Sequence, residues 1–344
     1  MLRKIVFLPD AGPENPFQYQ LAEYLRNHGF EVHISQKYTL GSTFRSLRKH
    51  RPDVVYYDWV HSFIIGKSWG WSVVKSLVFV LEILYAIHIQ KVRIVHTLHN
   101  LQNHAGLWLR LERVIYGLFL RRCHWIRVYS EATKQAAIKR FGLNPHKIRV
   151  IQDLPYHFYY KNTATRTESR NRLGIDIEAF VYLFFGEMKP YKGLHQLIEA
   201  YKRVASPNTH LLIAGKSYEE AYWQSLQQAA HGVSGIKWYH RFIEDDEVQY
   251  FFNAADVVVL PFVRIDHSGS IDLAMSFGKP VITLKTESTQ KLLVHQTELL
   301  FETSEELADC LVKAPQMPLE VIGKRNFEIA DATDYPHLLT LFEP

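Results

Sequence analysis

The stretch Phe184–Tyr201, FFGEMKPYKGLHQLIEAY, decides the reading of this chain. It closes an apolar run that begins at Phe180 and ends at Gly186, the pattern of a buried strand. A short loop then carries Lys189 and Lys192. Gly193 opens a helix with Leu194, Leu197 and Ile198 on one face. Glycine lets backbone come close to a ligand, and a helix N-terminus offers free N–H groups to an anion. Two lysines in the loop add mobile positive charge suited to a diphosphate. The alternative is a pair of solvated loop lysines. The strand–Gly–Lys–Lys–Gly–helix order favours the anion site.

Downstream, His210–Ala214 is a second apolar run, ending at Gly215-Lys216. The segment Ala255–Ile282, ADVVVLPFVRIDHSGSIDLAMSFGKPVI, holds a buried strand, a loop and then Ser268-Gly269-Ser270 at a helix start. Ser270 can cap that helix, and the Ser-Gly-Ser amides and hydroxyls can hold phosphate oxygens. A capped helix with no ligand is the plainer alternative. Gly278-Lys279-Pro280 stops the helix before the next strand.

The same rhythm runs through the whole chain. Strands are predicted at Lys4–Leu8, Glu31–Ser35, Asp53–Tyr57, Arg93–Leu98, Trp125–Tyr129 and Ile148–Gln152. A second series follows at Phe180–Phe185, His210–Ala214, Ile236–Tyr239, Val257–Leu260, Pro280–Thr283 and Leu299–Phe301. Helices lie between them, among them Pro16–His28, Trp108–Leu120, Glu131–Phe141, Gly193–Val204, Tyr218–Ala230, Asp245–Ala254 and Ser270–Phe277. This β-α alternation, occurring twice, predicts an α/β fold with two parallel-sheet domains. The polar stretch Tyr160–Leu173 is the expected junction, giving domains 1–165 and 166–325. The tail 326–344 contains a helix-like stretch, Tyr335–Phe342, expected to pack back on the first domain.

With 344 residues, 47% of them hydrophobic, the chain is too long for one ordinary core. Two cysteines, Cys123 and Cys310, make neither a disulfide framework nor a zinc spacing. The apolar run in MLRKIVFLPDAG is too short for a signal peptide and reads as a first buried strand. Charge is uneven. Residues 1–150 hold 22 Lys+Arg and 9 Asp+Glu, so 22 − 9 = +13. Residues 151–344 hold 18 and 26, so 18 − 26 = −8. The basic half suits an anionic lipid surface or a phosphate-bearing acceptor. Nucleic acid is disfavoured, because no recognition motif accompanies the charge. The apolar run Ser72–Gln90 approaches the length of a membrane span. Lys75, Glu82 and His88 interrupt it, so a packed helix is the expected reading, with a membrane-surface helix behind it and a true span last.

The pattern FGxxxPxKGxxxLIxAY, then LLIAGK, then ADVVVLPF…SGS…SFGKPVI resembles the donor-binding domain of GT-B glycosyltransferases of the family-4-like type. Enzymes of that type build bacterial exopolysaccharides and lipid-linked glycans. The resemblance covers residues 180–285. It extends more loosely to NPFQYQLAEYLRNHGFEV (Asn15–Val32) and HTLHN (His96–Asn100). It implies a GT-B fold, with two Rossmann-like domains facing a cleft: acceptor binding in the first, nucleotide-sugar binding in the second. By resemblance, Lys189 and Lys192 contact the donor diphosphate, with Gly186, Glu187 and Gly193 in the same loop. Ser268, Gly269 and Ser270 meet the phosphates from the other side. Gly215 lines the pocket, and Phe242, in the loop Tyr239–Ile243, flanks the base. Many retaining members carry two glutamates separated by seven residues near the last loop. Here Ile265 and Leu273 take those places, with Asp266 and Asp272 each one residue off. Asp272 is kept as a donor-side candidate, and the stereochemical outcome stays open.

In the first half no GxGxxG follows the first strand, which excludes the dinucleotide fingerprint. Asp10 is either a turn residue or a cleft carboxylate. Asp58-Trp59-Val60-His61 follows the third strand, and His96-Thr97-Leu98-His99-Asn100 ends the fourth, with His104 beyond. Side chains alternate along a strand, so these groups cannot all share one pocket. His99 and Asn100 lie nearest the strand end. With Asp10 they are the catalytic candidates, a histidine being able to deprotonate an acceptor hydroxyl. A structural histidine is the alternative. Ser130 either caps the next helix or lines the cleft with Glu131. The basic aromatic stretch Trp108–Arg127, with Arg45, Arg48, Lys49 and Arg51, reads as a membrane-docking surface or a solvated face.

The expected activity is transfer of a hexosyl unit from a UDP- or GDP-sugar to a lipid-linked or oligosaccharide acceptor in surface polysaccharide synthesis. No cofactor or metal is called for, and the expected location is the cytoplasm, at the inner face of the plasma membrane. A catalytically inactive GT-B scaffold subunit and a nucleotide-sugar 2-epimerase are the alternatives.

Overall fold

Short runs such as Ile5–Leu8, Val54–Tyr57 and Val257–Leu260 are buried on both faces, which is what a parallel sheet covered by helices demands. The computed structural model describes residues 3–12, 16–37, 39–103, 106–265, 268–332 and 336–343. Two six-stranded parallel sheets form. The first holds β1 (Arg3–Leu8), β2 (Phe30–Ile34), β3 (Val54–Tyr57), β4 (Arg93–Thr97), β5 (Trp125–Val128) and β6 (Ile148–Val150), in the order β2-β1-β3-β4-β5-β6. The second holds β7 (Phe180–Phe185), β8 (Thr209–Gly215), β9 (Ile236–His240), β10 (Val257–Leu260), β11 (Val281–Leu284) and β12 (Leu300–Phe301), in the order β12-β11-β10-β7-β8-β9. Every one of the twelve predicted strands is present.

The chain divides into two compact units, residues 1–154 with 334–344, and residues 155–333. Helices of the first are α1 (Pro16–Asn27), α2 (Ser42–His50), α3 (His61–Ile64), α4 (Trp69–His88), α5 (Leu109–Arg122) and α6 (Glu131–Phe141). The second contains α7 (Arg166–Leu173), α8 (Leu194–Tyr201), α9 (Glu220–Ala229), α10 (Asp245–Ala254), α11 (Gly269–Ser276), α12 (Glu287–Leu292), α13 (Ser304–Lys313) and α14 (Leu319–Asp331). The last helix, α15 (Pro336–Leu339), returns to the first unit.

Both sheets are covered on two faces. In β1, Val6 and Leu8 join a core with Leu47, Phe79, Ile83 and Phe119, while Ile5 and Phe7 join Leu21, Leu25, Leu341 and Phe342. In β7, Val181 and Leu183 pack with Phe251 and Ala274, while Tyr182 and Phe184 pack with Leu197 and Leu311. The tail lies against the first sheet: Arg3 Nη1 and Arg93 Nη2 donate to the Phe342 carbonyl at 2.6 and 2.8 Å.

The boundaries differ from the sequence reading. The units part at Leu154/Pro155, not at 165/166, and α14 stays with the second unit. The expected junction contains α7, which starts in a reciprocal capping box between Thr165 and Glu168. Fully buried Arg170 anchors that helix to the Ala254 and Ala179 carbonyls and to Asp256 at 2.9 Å. Hydrogen bonding holds α7 where its sequence offers no apolar face.

Candidate active site

In open α/β sheets, ligands gather at the carboxyl ends of strands where the strand order reverses. In the second unit this point lies between β7 and β10. The loop after β7 is the lysine-bearing stretch, and the loop after β10 leads to α11. The two loops are tied, since Val263 N–H donates to the Tyr191 carbonyl at 2.9 Å. A Cβ on Gly186 would stand 2.9 Å from Lys192 Nζ and 3.7 Å from Ser270 Oγ. Gly186, Lys192 and Ser270 therefore meet in one small space.

Backbone proximity explains the glycines. Gly193 has φ +70°, and a Cβ there would lie 1.8 Å from the Pro261 carbonyl oxygen. Gly215 has φ +144°, and its Cβ would lie 2.0 Å from the Gly186 carbonyl oxygen. Neither position accepts a side chain. Ser268 caps α11 by accepting from Ser270 N–H at 3.2 Å, and Gly269 sits against the Tyr156 hydroxyl. The free end of α11 thus points its dipole at the space beside Lys192.

Lys192 is 8% exposed, and its Nζ lies 5.9 Å from the Phe184 ring centre. Among the described residues it makes no hydrogen bond or ion pair. Burial pushes its pKa down to about 8, against the opposing pull of Glu187. A desolvated ammonium without a partner is a strong receptor for an anion. Lys189 behaves differently: it pairs with Glu187 at 2.8 Å and both stay solvent-accessible. Asp272 lies in the first turn of α11, and Phe242 follows the edge strand β9. Ile265 and Leu273, which the sequence reading aligned with the paired glutamates, are core residues. Asp266 and His104 lie outside the described residues.

In the first unit the strand order reverses between β1 and β3. His99 stands beside that point, stacked on Trp59 with ring centres 4.9 Å apart and planes 6° from parallel. Its Nε2 lies 3.2 Å from Asp58 Oδ1, and its Nδ1 lies 3.2 Å from the Tyr129 hydroxyl. An ionised carboxylate only accepts, so Nε2 carries the proton and Nδ1 presents its lone pair. Asp58 is itself held by Gln18 Nε2 at 2.9 Å, and Gln18 also donates to the Pro9 carbonyl. Buried Arg127 lies over Tyr129 and Phe17. Burial works against its charge, and Asp153 at 2.7 Å outweighs that, keeping the guanidinium ionised.

The other first-half candidates have structural work. Asp10 Oδ1 accepts from Gly12 N–H at 2.9 Å and from the Tyr19 hydroxyl at 2.7 Å, which makes it a turn residue. Asn100 offers its backbone carbonyl to His61 Nε2 at 3.4 Å. His96 is a core residue: Nδ1 meets the Tyr57 carbonyl, Nε2 meets the Tyr116 hydroxyl, and burial drives its pKa to about 3. Ser130 caps α6. The sequence reading missed Tyr129 as a partner of the histidine and Gln18 as a partner of Asp58, and it named Asp58 without giving it a role. Their one visible signal is position, since Asp58 directly follows β3 and Tyr129 directly follows β5.

Comparison with known proteins bears on the fold and on the second unit. Residues 179–316 match the family described as Glycosyl transferases group 1. A GDP-mannose:glycolipid 4-beta-D-mannosyltransferase of Xanthomonas campestris pv. campestris is 23% identical over 238 residues, 69% of this chain. The match spans 63% of that relative's length. Among solved structures, the sucrose-phosphate synthase of Thermosynechococcus elongatus superposes with a TM-score of 0.77 at 16% identity, covering 99% of this chain and 97% of its own. The Anabaena protein HepE, solved in complex with UDP-glucose, gives 0.72 at 18% identity, covering 99% and 98%. Residues 179–316 are therefore similar to a group 1 glycosyltransferase domain, and the chain has a two-sheet fold of the GT-B type.

Proposed function

We propose that the protein transfers a hexosyl unit from a nucleoside-diphosphate sugar, GDP- or UDP-linked, to a hydroxyl of a lipid-linked or saccharide acceptor in surface polysaccharide synthesis. The observation that carries this reading is the Lys192 ammonium, without a hydrogen-bond or ion-pair partner among the described residues, meeting Gly186 and Ser270 where the second sheet reverses. The names of two similar proteins support the donor class: one uses GDP-mannose on a glycolipid, the other was solved with UDP-glucose. No metal is invoked. Lys192 and the α11 terminus stabilise the negative charge that grows on the departing diphosphate.

In this reading the second unit holds the donor and the first serves the acceptor. His99 Nδ1 takes the acceptor proton. The acceptor oxygen forms the new bond to the anomeric carbon, and the bond to the diphosphate oxygen breaks. The nucleoside diphosphate leaves with the electron pair. Asp58 fixes the tautomer and stabilises the imidazolium, the orienting role such a carboxylate plays beside a base. A single displacement of this kind inverts the anomeric centre. In this reading the enzyme works at an anionic membrane surface on the cytoplasmic side, and the +13 charge of residues 1–150 supports that setting.

The test is incubation of purified protein with GDP-mannose or UDP-glucose and a lipid-linked acceptor. Released nucleoside diphosphate plus a glycosylated acceptor of inverted configuration is expected. An isomerised sugar nucleotide would reassign the chain to epimerisation. Nucleotide binding without turnover would leave it a scaffold.

A further inference from the structure

The surface helix α4 has two opposite apolar faces. Phe79, Ile83 and Ala86 enter the core of the first unit. The outward side presents Trp71, Val74, Leu77 and Leu81, which are 46%, 44%, 60% and 65% exposed. These residues recur at three- and four-residue steps, so they form one stripe. The two charges that interrupt this segment in the sequence do not interrupt the stripe. Lys75 Nζ turns inward to the carbonyls of Ser62 and Ile65. Glu82 Oε1 turns inward to accept from Phe44 N–H at 2.8 Å, at the start of α2. A continuous exposed apolar stripe of this length is unusual for a helix whose other side is already packed.

The neighbouring helices supply charge of one sign. α2 and α5 pack in the same layer as α4 and expose Arg45, Arg48 and Lys49 on one side, and Arg110 and Arg113 on the other. The only acidic side chains on α2, α4 and α5 are Glu82 and Glu112, and both are buried. Glu112 is held by Asn103 and His61. More apolar groups stand exposed nearby, including Phe44, Trp108 and Val114. The layer therefore combines exposed tryptophan and leucine with exposed cations and no exposed carboxylate on its three long helices.

We infer that the outer face of α4, flanked by the cations of α2 and α5, docks on a bilayer of anionic lipid. The inference deepens the membrane clause of the proposed function by naming the element that touches lipid. The apolar stripe enters the interface, the tryptophans settle at headgroup depth, and the arginines and lysines meet lipid phosphates. A nucleic acid would use the cations and leave the leucines in water. A second copy of this basic face would set like charges against each other.

The experiment is co-sedimentation of the full chain with vesicles of phosphatidylcholine alone and of phosphatidylcholine mixed with phosphatidylglycerol. Wild-type protein should bind the mixed vesicles, and added salt should weaken the binding. Leu77→Glu/Leu81→Glu should lower partitioning by roughly tenfold or more. Both leucines are exposed, so melting temperature should hold. Turnover of a water-soluble acceptor should hold too, which separates this inference from the transferase reading. Absence of wild-type binding to mixed vesicles overturns the inference, as does a double variant that binds like wild type. So does self-association of the wild type, abolished in the double variant, without vesicle binding.

Discussion

The two units have the same architecture but carry their chemistry by different means. At the reversal point of the second sheet the proposed receptor is mostly backbone: Gly186, Gly193 and Gly215 let strands and loops close in, and a buried lysine supplies charge. At the reversal point of the first sheet it is side chains, a linked set of Gln18, Asp58, His99 and Tyr129 walled by Phe17 and Trp59. A diphosphate is recognised by N–H groups and positive charge, so a compact local motif suffices. Handling a hydroxyl proton needs one nitrogen held in one tautomer, which takes partners from several elements.

The contrast breaks most sharply at Lys192. Lys192→Ala should lower kcat by roughly a thousandfold, as loss of a central electrostatic stabiliser does. The fold should hold, because the substitution removes a desolvated charge. Near-normal turnover with intact melting would move the diphosphate elsewhere. In the first unit, His99→Ala should cost roughly a hundredfold in kcat. Asp58→Asn should cost less, roughly tenfold, and should change the pH–rate profile as well as the rate. An unchanged profile in Asp58→Asn would make the carboxylate a packing group only.

These expectations rest on features that differed in how visible they were beforehand. Gly186, Lys192 and Ser268–Ser270 fall within two continuous stretches, so sequence shows them directly. Gln18, Asp58, His99 and Tyr129 come from α1 and the ends of three strands. Only folding gathers them, and only His99 stood out alone. The strands were legible because burial on both faces writes an unbroken apolar run. α7 was not, because its stability comes from a capping box and from Arg170, which a search for apolar periodicity does not detect. Asp10 stands open between turn and site in the sequence for a related reason: a carboxylate after a strand is the usual mark of both, and here it makes turn bonds.

Two smaller effects sharpen the comparison. Gly193→Ala should cost about 2–3 kcal/mol of stability, since the new Cβ would strike the Pro261 carbonyl and the residue has positive φ. Chemical denaturation of the variant measures it, and a neutral result would deny that backbone proximity builds the receptor. The second effect is pH dependence. Lys192 titrates near 8 in the unliganded protein, well below its value in an unfolded chain. Between those two values the unfolded chain binds more protons, so this group makes the empty protein more stable as pH rises from about 8. A bound diphosphate prefers the ammonium, so nucleotide affinity should fall as pH climbs through about 8, by at most roughly tenfold per unit. Calorimetric titration at several pH values reads this directly, and Lys192→Met should flatten the curve.

The return of α15 to the first sheet imposes an order on biosynthesis. Leu338, Leu341 and Phe342 complete a core that contains Phe7 and Tyr56. A ribosome adding roughly 5–20 residues each second leaves that flank of the nascent first unit uncovered for roughly 10–40 s after residue 154 emerges. The second unit can finish folding in that interval, while the first waits for residues that are translated after all of the second. Chaperones would find their binding site on the earlier-made unit, and a protease cut between Asp331 and Leu338 would unravel the half of the molecule farthest away in sequence.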